Sequence, residues 1–396
     1  MKTRYYGSYP AYAACFFWLY FANGIINNIL SVYLLGMGQT ALATSTIVIA
    51  GSIFSILLQP LMGSINDRVG RPALMIVLTL LVSTGCCVGF AFSRSVPFLF
   101  LFNGLMLSLV DTVSLLFEQL AAKTRYSYGS VRLWGTIGYA VAAQVAGLAY
   151  EKIAPSAIFW CFGLGILLTV LALKAVPLTV LVNRKQEEEG SLVAKRSKGG
   201  MMQVLKVPGF VLFLMLVMLF RGVLTVGTTY LQPLLMHHGM TVAACGTVVF
   251  IATMTEGPLL LFSGRMMDRL RSRPALMACF VMLGAVLLCL GISPVLPPVI
   301  VASLIRPLVG MVFNMLALKI TILLAPGEQM STAIGLTGAA KCLGVIAFQG
   351  MGGSLMDAMG IGSLFVFLAA LSAVGLVLSL FCKVKDKPEQ SIFAKR

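Results

Sequence analysis

Charge is what this chain has least of. Only 11% of its 396 residues are Asp, Glu, Lys or Arg, against about 25% in an average soluble domain, while 59% are hydrophobic and the mean hydropathy is +0.96. That composition excludes an ordinary soluble enzyme. Acidic residues are scarcer still, 13 against 29 Lys and Arg, and there are two histidines. The nine cysteines (15, 86, 87, 161, 245, 279, 289, 342 and 382) stand singly or as one adjacent pair inside apolar stretches, without C-x-x-C spacing or companion histidines. They read as small core residues, so neither a metal site nor an organic cofactor is expected. No G-x-x-x-x-G-K-[ST] phosphate loop occurs either, and any uphill work must draw on an ion or solute gradient.

What the chain has in plenty is long apolar runs. Between charged or Pro/Gly breaks they predict helices over 9–35, 41–63, 73–93, 97–121, 131–151, 156–180, 209–236, 242–264, 275–292, 296–325, 331–356 and 360–383. At ~20 residues per crossing, the expectation is an all-α membrane protein of twelve transmembrane helices in two six-helix halves. One polar segment, 181–208, divides the runs six and six. The expected organisation is a first half 1–180, a cytoplasmic linker 181–208, a second half 209–383 and a cytoplasmic tail 384–396. The first run is longer than a signal-peptide core and reads as an uncleaved helix. Basic residues gather in alternate loops, which places both termini in the cytoplasm and the chain in the plasma membrane. The formal charge of +16 then faces an anionic lipid leaflet, and nucleic acid is not an expected partner.

A repeat runs through this pattern. Gly63-Ser-Ile-Asn-Asp67-Arg68-Val-Gly70-Arg71-Pro-Ala-Leu-Met75 returns as Gly264-Arg-Met-Met-Asp268-Arg269-Leu-Arg-Ser-Arg273-Pro-Ala-Leu-Met277, each copy between the second and third run of its half. Two halves repeated in the same orientation point to a transporter with its site at mid-membrane. The first copy resembles the signature loop of the major facilitator superfamily at Gly63, Asp67, Arg68, Gly70 and Arg71. That resemblance implies a gating contact, with Asp67 accepting charge-assisted bonds and Asp268 and Arg269 in the equivalent place.

A narrower likeness starts at Tyr128-Gly129-Ser-Val-Arg132-Leu-Trp134-Gly135-Thr-Ile-Gly138-Tyr139. This stretch is similar to the lactose permease group of oligosaccharide, nucleoside and phenylpropionate proton symporters, as are Met254-Thr-Glu256 and Lys341 with the glycines that follow it. The resemblance implies that Arg132 binds solute and that Glu256 and Lys341 stand at the group's eighth- and eleventh-helix charges. It also shows departures: Tyr139 replaces a stacking tryptophan, Ser114 stands where a sugar-binding glutamate is expected, and Gly222 and Thr225 replace two aspartates that would neutralise the lysine.

An ionisable side chain at mid-bilayer costs roughly 2.5–3.5 kcal/mol on insertion scales and is a functional candidate by default. Asp111, Arg221, Glu256, Arg306 and Lys341 fall at mid-depth and Arg132 can reach inward, whereas Glu118 and Lys319 lie near helix ends and are expected to snorkel. Four cations against two acids suggest that something anionic completes the site. The expectation is therefore a secondary active transporter working by alternating access. Its solute would be a small organic anion bearing a carboxylate, held by Arg306, Lys341, Arg221, Arg132 and Tyr139, with proton symport through Glu256 and Asp111 in reserve. A neutral sugar or nucleoside, an anion exchanger and a drug efflux carrier stay open as alternatives, and a monomer is expected.

Overall fold

The computed structural model of the chain describes residues 7–69, 71–124, 126–177, 204–207, 209–259, 270–325 and 330–382. Among the described residues there are thirteen helices: α1 (Tyr9–Gly36), α2 (Ala41–Val69), α3 (Pro72–Phe92), α4 (Val96–Lys123), α5 (Tyr128–Lys152), α6 (Ala157–Leu173), α7 (Phe210–Thr229), α8 (Leu231–His237), α9 (Val242–Met254), α10 (Ser272–Ile292), α11 (Leu296–Leu324), α12 (Met330–Met359) and α13 (Ile361–Ser379). With α7 and α8 counted as one crossing broken at Tyr230, they follow the twelve expected runs. The sixth run is shorter than expected, its helix ending at Leu173. Ten of the described helices are long and apolar enough to cross a bilayer; α6 is shorter at 17 residues, and α5 is not among the ten. The linker apart from 204–207, and the tail, lie outside the described residues.

Local chemistry sets the helix ends. Proline opens α1, α3, α4 and α11 in the first turn, where its missing N–H has no helical partner to lose. Gly38, at φ +83°, closes α1: its N–H bonds the Leu35 carbonyl and that of Gln39 the Leu34 carbonyl, a left-handed stop that suits glycine.

The chain forms two compact units, one of α1–α6 with α9 and the other of α7, α8 and α10–α13. In the first, α1 is the central helix. Phe16, Leu19, Ala22, Ile25, Ile26 and Leu34 on it are at most 1% exposed. Inside a bilayer helices associate through close packing rather than a hydrophobic drive, and glycine supplies the closeness. A Cβ on Gly138 of α5 would overlap the Phe17 carbonyl oxygen of α1. Helix α9 meets α5 in the same way, Gly246 against the Ala143 carbonyl and Gly147 against that of Val242. At that junction the Ala243 N–H donates to Glu151 Oε2 at 2.8 Å. The sequence assigns α9 to the second half by its repeat, whereas its packing groups it with the first.

The second unit repeats the device. A Cβ on Gly344 of α12 would overlap the Met218 carbonyl oxygen of α7, and Phe17 and Met218 stand 201 positions apart, as do Asp67 and Asp268. Its core stacks Phe220 of α7 on Phe313 of α11, centroids 3.6 Å apart, with Phe280 of α10 edge-on.

Candidate functional site

In the first unit the polar groups gather on facing stripes of α1, α4 and α5. Glu118 of α4 is the hub. Its Oε1 accepts from Arg132 Nε at 2.6 Å and from the Tyr20 hydroxyl at 2.7 Å, and its Oε2 accepts from the Tyr128 hydroxyl. The Arg132 guanidinium carbon lies 4.3 Å from the Tyr20 ring centroid, within cation–π range. Glu118 and Arg132 each keep about a quarter of their side-chain surface open, at 24% and 25%. Gly135 makes this possible, because a Cβ there would come within 2.8 Å of the Tyr20 ring and 3.0 Å of the Arg132 guanidinium. Beside the hub, Trp134 Nε1 donates to the Tyr9 hydroxyl at 2.9 Å, which itself donates to the Ser130 carbonyl.

Sequence reasoning missed Glu118 and sent it to the membrane surface; the structure corrects this. Ser114, where the resemblance expects a glutamate, turns its hydroxyl back to the Val110 carbonyl, and Glu118 stands one helical turn later. The tally of two acids omitted it, so Arg132 enters no cationic excess. Lys319 is 5% exposed, and its Nζ donates to the Leu270 carbonyl, just ahead of α10, at 2.6 Å.

Seven residues from Glu118 on the same helix, Asp111 anchors a second polar group. Its Oδ1 accepts from Asn23 Nδ2 at 3.1 Å, and Asn27 Nδ2 donates to Asn23 Oδ1 at 2.6 Å. Asn23 is buried, Asn27 exposed and Asp111 half-buried. Tyr139 is half-buried on α5 beside Gly24, where the two helices touch. Glu256, partly exposed, follows the Thr255 turn that ends α9, next to Gly257, whose missing Cβ would sit 3.2 Å from Leu133 of α5.

In the second unit Arg306 is 6% exposed and donates to the Thr228 hydroxyl and the Leu224 carbonyl of α7. Lys341 of α12 and Arg221 of α7 flank the point where those helices press together, Gly222 against the Gly344 carbonyl. The structure thus places Arg221 and Lys341 on the two helices of that contact, while Arg306 is bound into α7. Of the expected gating residues, Arg71 is exposed at the start of α3. Gly63, Asp67 and Arg68 fall in α2 with side chains outside the description, and Gly70, Asp268 and Arg269 lie outside the described residues. Among the described residues no group of His, Cys, Asp and Glu could hold a metal ion.

The MFS_1 like family model matches residues 9–369. The maltose permease of Geobacillus stearothermophilus is 27% identical over 379 residues, 94% of each chain. The raffinose permease of Escherichia coli is 27% identical over 180 residues, 41% of each. Among solved structures, the nucleoside transporter NupG shares the fold with a TM-score of 0.75 at 15% identity, covering 95% of this chain and 99% of its own.

Proposed function

Because the chain belongs to the MFS_1 like family, we propose that it moves a neutral, polyhydroxylated solute, a sugar or a nucleoside, across the plasma membrane by alternating access with proton symport. As a member of that family it is a multi-pass membrane transporter and not an enzyme. The observation that carries the solute class is the pairing of Arg132 with Glu118. A guanidinium held beside a carboxylate offers donors and acceptors side by side, which is what a hydroxyl needs, since it donates one bond and accepts others. The same carboxylate repels an anion, so the pair selects against it as well as for the hydroxyl. Tyr20 and Tyr128 add an aromatic face and further hydroxyls, in the mixture of apolar wall and few polar groups typical of small-molecule sites. The sugar permeases among its relatives and the nucleoside transporter that shares its fold support this reading.

Coupling falls to Glu256, a carboxylate just past the end of α9 that can take up and release a proton as solute binds and leaves. Both termini face the cytoplasm, on the positive-inside asymmetry of the loops. A second reading, a small organic anion, rests on Arg221 and Lys341 standing on the two helices that close on each other at Gly222 and Gly344, where a carboxylate could be held. Arg306 serves that reading less, being engaged by α7.

The test is binding and uptake by the purified protein in proteoliposomes, with disaccharides, nucleosides and carboxylates offered in parallel. Accumulation of a neutral solute driven by an inward proton gradient is the expected result. Accumulation of carboxylates alone would overturn the neutral-solute reading and promote the second.

A further inference from the structure

Glycine joins α5 to α9 as it joins α1 to α5, yet the two contacts differ in what they connect. The Gly138 contact lies within the first half and recurs within the second at Gly344. The contacts of Gly246 with the Ala143 carbonyl and of Gly147 with that of Val242 join a helix of the first half to one that the repeat assigns to the second. Backbones brought this close by small residues do not slide past each other; they stay together or separate outright. When the halves rock to open the face away from the cytoplasm, this is the junction that parts.

The polar chemistry of the junction is one-sided. The first turn of a helix leaves N–H groups without helical partners. Thr241 satisfies one of them with its own side chain, Oγ1 accepting from the Ala244 N–H at 3.2 Å, and α9 carries this cap wherever it goes. The Ala243 N–H is satisfied from α5, by Glu151 Oε2 at 2.8 Å, and that bond exists only while α9 lies on α5. A carboxylate there also meets the positive end of the helix dipole. Lys152 approaches the other oxygen, Oε1, at 3.9 Å, and leaves Oε2 to Ala243. The repeat keeps the same parts: Asp357, near the end of α12, stands 206 positions after Glu151, as Gly344 does after Gly138, and Thr40, 201 before Thr241, accepts from the Ala43 N–H of α2.

We infer that Glu151 is a latch on the face away from the cytoplasm, a carboxylate of the first half that holds the N-terminus of α9 and so stabilises only the state closed on that face. The inference rests on the alternating-access reading and its orientation, and adds the residue that sets the balance between the two states. One charge-assisted bond at a partly exposed carboxylate is weak enough to open in every cycle.

Cys245 is a native reporter for the experiment. It lies between Val242 and Gly246, the two α9 contacts with α5, and is 0% exposed. Cells carrying the full-length protein are treated with a membrane-impermeant maleimide, and labelling of each cysteine is read by mass spectrometry. Cys15 and Cys87, 1% and 2% exposed in the same unit, are internal controls. Glu151→Ala is expected to raise the labelling rate of Cys245 at least threefold, and Glu151→Gln, which keeps an acceptor without the charge, by less. Gly246→Ala drives a methyl into the Ala143 carbonyl oxygen and should raise Cys245 labelling independently. Unchanged labelling in Glu151→Ala, or in both other variants where Glu151→Ala does not fold, would overturn the latch alone. So would a rise shared by Cys15 and Cys87, which reports unfolding. Failure of the wild type to move any offered solute would overturn the alternating-access reading and the latch with it.

Discussion

Arg132 sits over the ring of Tyr20, 4.3 Å from its centroid, because position 135 between them carries no side chain. Two helices therefore share one surface: the aromatic face comes from α1 and the charge from α5. A methyl group added at position 135 meets side-chain atoms rather than backbone. The fold can adjust; the geometry of the pair cannot. Gly135→Ala is expected to keep its melting temperature within a few degrees while solute affinity falls roughly tenfold, about 1.4 kcal/mol, as titration calorimetry would measure.

Breaking the hub directly should cost more. Glu118→Gln leaves Arg132 without its counter-charge and turns one of the two oxygens that accept from the tyrosines into an amide donor. Truncating one partner of a hydrogen-bonded charge pair costs on the order of 2–5 kcal/mol. Neutral-solute binding should fall at least tenfold, and Arg132→Lys should fail to restore it, since an ammonium lacks the planar fork. Full binding by Glu118→Gln would remove the hub from the site.

Glu256→Gln separates coupling from binding. The variant cannot take up a proton, so accumulation against a gradient should vanish while solute exchange down a gradient continues, measured as counterflow in proteoliposomes. Unimpaired proton-driven uptake would take Glu256 out of the coupling role.

The glycines divide sharply by what surrounds them. Gly138→Ala and Gly344→Ala each drive a methyl into a backbone oxygen of the neighbouring helix, and overpacking of that kind costs typically about 1–3 kcal/mol. Gly163 on α6 has nothing within 4 Å of an added Cβ, so Gly163→Ala should be neutral or gain up to about 1 kcal/mol of helix propensity. Thermal unfolding in detergent would rank the three, and a stable Gly138→Ala would contradict the tight approach of α1 to α5.

Much of this was legible in the sequence because hydropathy, loop charge and the repeated loop at Asp67 and Asp268 are one-dimensional signals. Arg132 and Glu256 were singled out by resemblance and depth. Glu118 escaped because depth was judged by distance from a helix end, and no run of residues along α4 states that Arg132 and Tyr20 lie across from it. The placement of α9 against α5 was equally hidden, since the contact depends on Gly147 and Gly246 meeting carbonyls of the opposite helix, and small residues occur throughout these spans.

The twin contacts of Gly138 on Phe17 and Gly344 on Met218 have a practical use. Backbone pressed against backbone has no slack to slide or hinge, so α1 with α5, and α7 with α12, are solid beams. Spin labels or fluorophores placed on the two members of either beam should report one distance with solute, without it and at every pH, giving the molecule a ruler of constant length against which displacements elsewhere can be calibrated.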